Sequence, residues 1–341
     1  PPRRPRPTTP RAGPFQPVPA WVTQLVGFTD ERTGRPHALV TGYAGGRALL
    51  DLVDGGVLAV PDERASPGVC AIARVAGETL LVSAAGAGHL QLTDLATGRP
   101  RWRRWCGEIR SLVTVNLAGR TLAVLAGGSP HPQVWSLALD RGERLTTLRG
   151  GGDRVAVLAA TTINQDAVVA AGTVHGRVRL WRIGAAREGA AALRVAALPG
   201  LAVDPPGLVG ALDFAEWSGR PVLLGAAGRL VRAWDVASGA PLGPVFAEHT
   251  GPVTGVVAGR LGTRPALISS DDSTVRAWAP ESGTELATFH YPYEAALTRM
   301  TTAVVAGRPV LVTGDGAGLV WRWDPEQPYP FRRGPTPGGG P

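Results

Sequence analysis

The side chains in this 341-residue chain that are able to do chemistry are few and far apart. Its six histidines, His37, His89, His131, His175, His249 and His290, show no metal-ligand spacing and stand beside no obvious nucleophile. Catalysis needs convergent polar groups, so this scatter argues against a hydrolase or a metalloenzyme. Cys70 and Cys106 form no CxxC pair, which leaves no zinc or thiol-redox motif. Both read as small buried hydrophobes, and the pair fits a reducing, cytoplasmic setting. "GAGHLQL" and "GDGAGLV" read as glycine turns between strands, not as strand-to-helix phosphate loops. One segment is denser: "RWRRWCGEIR" (101–110) interleaves two tryptophans with arginines, a pattern that stacks bases or forms binding hot spots. The preferred reading packs Trp102 on an outer strand with solvated arginines around it.

The formal charge is +8, and every basic residue is arginine. A complete absence of lysine reflects a GC-rich coding bias better than selection for nucleic acid, so a solvated basic surface accounts for the charge. No apolar run approaches the roughly 18 residues of a membrane span. The first 20 residues are dense in proline and arginine and lack the apolar core of a signal peptide. Residues 1–19 and 334–341 are therefore expected to be disordered arms around a folded unit at 20–333.

The elements that position these residues repeat. "GRVRLWR" (176–182), "GRLVRAWDVASGAP" (228–241), "STVRAWAPESG" (273–283) and "GLVWRWD" (318–324) are versions of one phrase. Their tryptophans, Trp181, Trp234, Trp278 and Trp323, are 53, 44 and 45 residues apart. The same period backwards gives weaker copies at Leu137, Thr93 and Asp51. Seven units at this period mark a stacked or radial repeat. Each unit reads as short valine-rich strands bounded by Gly and Pro, with no convincing helical periodicity. Four strands per unit in seven units solve the edge problem by closing into a ring. The expected fold is all-β: a single seven-bladed β-propeller of four-stranded antiparallel blades. Either "PFQPVP" (14–19) or "YPFRR" (329–333) is a candidate for the last outer strand.

These phrases resemble the WD-repeat family of β-propellers, most closely over 248–283. The resemblance implies a hydrogen-bonded tetrad in that unit: His249, Asp272, a hydroxyl from Ser269 or Ser270, and Trp278. Such residues are structural anchors in the family, as Trp181, Trp234 and Trp323 are. In the fourth unit His175 is read at the Asp position. The match is weak in the first three units, and only Trp234 and Trp323 precede an Asp. A second resemblance lies in "DLATGRPRW", where Asp94, Thr97, Gly98 and Trp102 are spaced as in the tryptophan-docking motif of pyrroloquinoline-quinone dehydrogenases. One match in seven units makes this propeller-enzyme reading the alternative.

Two surfaces are candidates for binding. The turn between the first two strands carries Arg35, Arg120, Arg220, Arg264 and Arg308, with Glu78 and Gln165 in the other units. A ring of one sign would steer an acidic partner. On the opposite face, "FHYPYE" (289–294) offers Tyr291 and Tyr293 as anchors. The expected function is a non-catalytic protein-interaction scaffold or sensing module, monomeric, binding a protein partner of acidic character. It would use no cofactor, no metal and no nucleic acid, and would form part of a larger bacterial-type signalling protein.

Overall fold

The computed structural model describes residues 14–43, 46–60, 65–85, 88–127, 133–148, 153–185, 193–202, 207–261, 264–291 and 295–323. Within them all regular structure is β, in seven antiparallel meander sheets. The first strands of the seven blades are Val22–Thr29, Ala65–Val75, Ile109–Leu117, Val155–Ile163, Val209–Trp217, Gly255–Leu261 and Leu297–Val305. Each first strand lies beside the first strand of the next sheet, and Val22–Thr29 lies beside Leu297–Val305. That contact closes the ring, and the expected seven-bladed propeller is the observed fold. Five blades have four strands. The fourth blade adds a two-residue strand, Leu201–Ala202, against its third, and the seventh has three strands of its own.

The reason for the repetition is visible in the core. It is divided into seven apolar clusters, one between each pair of adjacent blades. A valine-rich sheet must bury both faces, and a ring of sheets does so with its neighbours. The thinnest cluster joins blades 1 and 2, where Leu39, Val60, Cys70 and Leu81 are the buried members.

A first strand pairs with a second strand on one side only, so its inner backbone groups need other partners. Side chains of the neighbouring blade supply several. Gln24 Oε1 accepts from Cys70 N–H at 2.7 Å, Ser111 Oγ from Leu158 N–H at 3.0 Å, and Thr301 Oγ1 from Gly27 N–H at 3.3 Å. Thr298 Oγ1 donates to the Val22 carbonyl at 2.7 Å across the closure.

The outer edge of blade 7 is closed by the N-terminal segment. Phe15 exchanges two backbone hydrogen bonds with Val320, at 2.9 and 2.8 Å. Phe15 and Val18 are buried against Val22, Leu50 and Val320. Residues 14–19 thus belong to the ring, and the expected boundary at 20 falls too late. "YPFRR" at 329–333 and the arms at 1–13 and 334–341 lie outside the described residues.

Backbone register corrects two alignments. Trp181, Trp234, Trp278 and Trp323 face Val169, Leu223, Leu267 and Leu311, and Thr93 and Leu137 face Leu81 and Ala123 in the same way. In the first blade the residue in this register is Leu50, opposite Ala38, not Asp51. Asp51 opens the next turn, bonded to Gly55 and Gly56 as Asp94 is to Gly98 and Arg99. The second correction concerns the Arg turn. Ala118–Gly119 and Ser218–Gly219 are two-residue hairpin turns with both φ values positive, the type I′ geometry that matches strand twist. In blade 4 Asn164 and Gln165 fill that turn, at φ 50° and 69°. Gln165 is therefore a turn residue, and Asp166 holds the register of Arg120.

Candidate functional site

In a closed ring of meanders, turns between first and second strands share one face with turns between third and fourth. Of the Arg set, Arg120, Arg220, Arg264 and Arg308 open second strands on this turn face, and Arg35 immediately precedes one, Pro36–Gly42. The acids of the neighbouring turns stand among them. Arg35 reaches Asp51 at 2.5 Å and Asp54 at 2.6 Å, and Arg120 lies 3.6 Å from Asp140. Arg101 holds Glu78 at 2.5 Å and Asp94 at 3.2 Å. Burial works to raise the Asp51 carboxyl, but Arg35 and the Val53 and Asp54 N–H groups outweigh it and hold it low. Asp235 is held low by the Ser238 N–H and hydroxyl, with a smaller contribution from the charge of Arg220. Arg35 and Arg120 are thus paired with acids and Arg220 acts on Asp235, which lowers the net positive field of this part of the turn face.

Blade 6 contains the polar network the resemblance implies, with one change. His249 Nδ1 lies 3.1 Å from Asp271, His249 Nε2 2.7 Å from Ser269 Oγ, and Trp278 Nε1 donates to the same hydroxyl at 2.8 Å. Ser269 supplies the hydroxyl. The acid is Asp271, not Asp272: Asp271 is fully buried and Asp272 is exposed. Asp271 also accepts from Thr274 N–H at 2.6 Å and Ser273 N–H at 3.0 Å, fixing the tight turn. Burial drives the His249 ring below its ordinary pKa against the opposing pull of Asp271. A neutral ring with its proton on Nδ1 satisfies both partners. Asp271 is held well below the carboxylate range; burial opposes this, and the Ser273, His249 and Thr274 donors prevail.

Blade 7 repeats the network with a substitution. Tyr291 stands where His249 does, six residues before the first strand, and donates to Asp315; Trp321 Nε1 donates to the Tyr291 hydroxyl at 2.9 Å, and Trp323 Nε1 to Thr313 at 2.7 Å. Tyr291 is buried. Its place in the core removes it as a surface anchor, and Tyr293 lies outside the described residues. In blade 4 the corresponding position is Thr173, whose hydroxyl accepts from Arg177 N–H at 3.1 Å. His175 is in the exposed turn beyond it, 3.4 Å from Asp153.

The docking motif has a structural explanation. Asp94 caps its turn by accepting from Ala96 N–H at 3.0 Å and Thr97 N–H at 2.9 Å. Trp102, half-buried, donates to the Leu139 carbonyl of the next blade at 3.0 Å and covers Gly142 there. Other side chains make the same contact elsewhere. Phe15 covers Gly55, Pro199 covers Gly239, and Pro244 covers Gly283. A Cβ at Gly239 would stand 2.9 Å from Pro199 Cβ. The glycine admits whatever the preceding outer strand lays over it, so the contact seals blade against blade and does not depend on tryptophan.

The opposite face, where outer strands connect to the next inner strands, is different. Trp21, Tyr43 and Trp105 are 54%, 71% and 73% exposed there. Trp21 and Tyr43 are neighbours, joined by a Tyr43 N–H to Trp21 carbonyl bond of 3.0 Å, and Trp21 is tied to Gly316 of blade 7 at 3.1 Å. Leu208 is exposed on the same face. Trp21 lies at the start of the first blade's inner strand and Tyr43 at the end of its second, and Trp105 ends the outermost strand of blade 2. The 101–110 segment thus divides: Trp102 packs and Trp105 is presented. Sequence reasoning missed Trp21 and Tyr43 because neither lies in the repeated phrase.

Together these features define the class: a closed seven-bladed β-propeller with a partly compensated turn face and an aromatic connection face. No protein-family model matches the sequence, and no curated protein matches it significantly.

Proposed function

We propose that the chain is a divergent WD-repeat propeller that acts as a non-catalytic protein-interaction platform and binds its partner on the connection face. The observation that carries this is the exposure of Trp21, Tyr43 and Trp105 on one face. Trp and Tyr combine an apolar body with a polar tip and dominate protein-binding hot spots. The sealed ring supports the reading, because it holds loops rigid on two faces without chemistry. Closure uses every blade interface within one chain, so a monomer suffices. The two cysteines are free, Cys70 buried and Cys106 half-buried, as a reducing compartment allows.

Affinity capture from lysate of the source cell, followed by cross-linking mass spectrometry of the complex, tests the face. Cross-links and protected peptides are expected around residues 16–23, 43, 103–110 and 207–210. Protection confined to the hairpin turns at 76–78, 118–120, 218–220 and 306–308 would overturn the assignment.

A further inference from the structure

At the axis of the ring lies a chamber of about 280 Å³ to which all seven first strands contribute. Two of the side chains that line it are charged, Arg110 and Arg299, and none is acidic. Arg110 is neutralised from outside the lining by Glu108, at 2.5 Å. Arg299 is not. Its Nε donates to the Thr23 carbonyl at 2.7 Å and its Nη1 to the Thr298 carbonyl at 2.6 Å, and no carboxylate lies within ion-pair distance among the described residues. Asp213 is an acid on the inner strands, but it turns into the interface of blades 5 and 6, where it accepts from Ala258 N–H at 3.4 Å. In the lower channel Arg74 is paired with Glu31 at 2.7 Å.

From this geometry we infer that the upper channel is a carboxylate-binding site centred on Arg299. Two of the five guanidinium N–H groups are used on carbonyls, which also lock the plane of the fork across the junction of blades 7 and 1. Three remain, on Nη1 and Nη2, enough for the paired hydrogen bonds that arginine makes to a planar carboxylate. Arg299 is open to the chamber by surface area, yet its enclosure among the inner strands pulls its pKa down, with no acidic group acting on it in the opposite direction. The rest of the wall is mixed: the Gln24 amide and the Thr23 hydroxyl are already bonded to Cys70 and Thr41, the Ser111 and Thr254 hydroxyls also line it, and Met300 adds apolar surface. One uncompensated positive charge in such a chamber suits a monoanion with a short apolar body better than a phosphate dianion. Such a carboxylate can come from a free short-chain acid or from an acidic side chain of a bound protein. The site stands whether or not the connection face binds a protein.

Isothermal titration of the full chain at about 150 mM salt, where exposed charges are screened, tests this. The probes are butyrate, butyramide, inorganic phosphate, and an acetylated, amidated tetrapeptide containing one Glu together with its Gln counterpart. Saturable binding of butyrate or of the Glu peptide is expected, with butyramide, the Gln peptide and phosphate at least tenfold weaker. Binding of butyrate alone identifies a free acid, and of the peptide alone a protein carboxylate. Arg299→Gln should weaken binding at least tenfold. Because Arg299 also bridges the ring closure, Thr254→Glu is measured beside it; this leaves Arg299 in place and supplies an internal carboxylate, and it too should abolish binding. The inference is overturned if no carboxylate probe binds, if butyramide binds like butyrate, or if a folded Arg299→Gln or Thr254→Glu chain binds like the wild type.

Discussion

The two faces of the ring are held by different physics. Under the connection face of blades 6 and 7 lie buried networks: His249, Asp271, Ser269 and Trp278 in one, Tyr291, Asp315 and Trp321 in the other. The turn face is held by tight hairpins and by exposed ion pairs such as Arg120 with Asp140. Removing a member of a buried network strands its partners without water, whereas an exposed pair loses little because water and salt already share its charges. The connection face can therefore present aromatic groups on a rigid base, and the turn face can vary its residues at small cost.

The sharpest way to break this comparison is to remove an anchor. Trp278→Ala should cost about 3–5 kcal/mol, through the lost indole volume and the stranded Ser269. Thr93→Ala, in the same register of blade 2, should cost about 1 kcal/mol. Denaturant midpoints of the two variants measure the difference, and equal shifts would contradict the anchor register.

Next in size is Ser269→Ala, which leaves Trp278 N–H and one His249 nitrogen unpaired in a fully buried site. A loss of about 1–3 kcal/mol is expected, again from denaturant midpoints.

A smaller effect sharpens the same point through pH. His249 has a lowered folded pKa, so the unfolded chain takes up its proton first. Stability should be intact above the ordinary histidine value of about 6.5 and fall as pH drops below it. Asp213 is pushed up to about 7 by burial and acts with the opposite sign between about 4 and 7. The profile is therefore read in the Asp213→Asn variant, where His249→Gln should flatten the decline.

The smallest effect belongs to the turn face. Reversing Arg220, Arg264 and Arg308 to Glu should shift stability by less than about 0.5 kcal/mol per site. A melting temperature within a few degrees of wild type is the expected reading.

Most of the architecture was legible in the sequence because the tryptophan spacing reports blade period and the hairpin turns punctuate it. What was not legible has physical causes. "DD" at 271–272 offers two carboxylates one residue apart, and only the backbone shows that Asp271 points inward. Asp51 and Leu50 are adjacent, and a period of about 44 residues cannot separate them. Asn164–Gln165 adopts a turn usually written with glycine, which moved the Arg register by one. Tyr291 replaces a histidine with a different ring, so the second network carried no signature. The glycine covers are made by Trp, Phe and Pro in turn, which hides them from any motif. Of the surface, the arginine positions were readable from the repeat; the exposed aromatics lie in the connections between repeats and were not.

The most direct test of the central claim compares the two faces against one captured partner. The dissociation constant is measured for wild type, for Trp21→Ala with Trp105→Ala, and for the Arg220, Arg264 and Arg308 reversal. The aromatic pair should weaken binding by about 30-fold or more, the scale of a hot-spot loss of about 2 kcal/mol, while the reversal leaves the constant nearly unchanged. Loss of binding on charge reversal, with full affinity in the aromatic variant, would contradict the account and place the partner on the turn face.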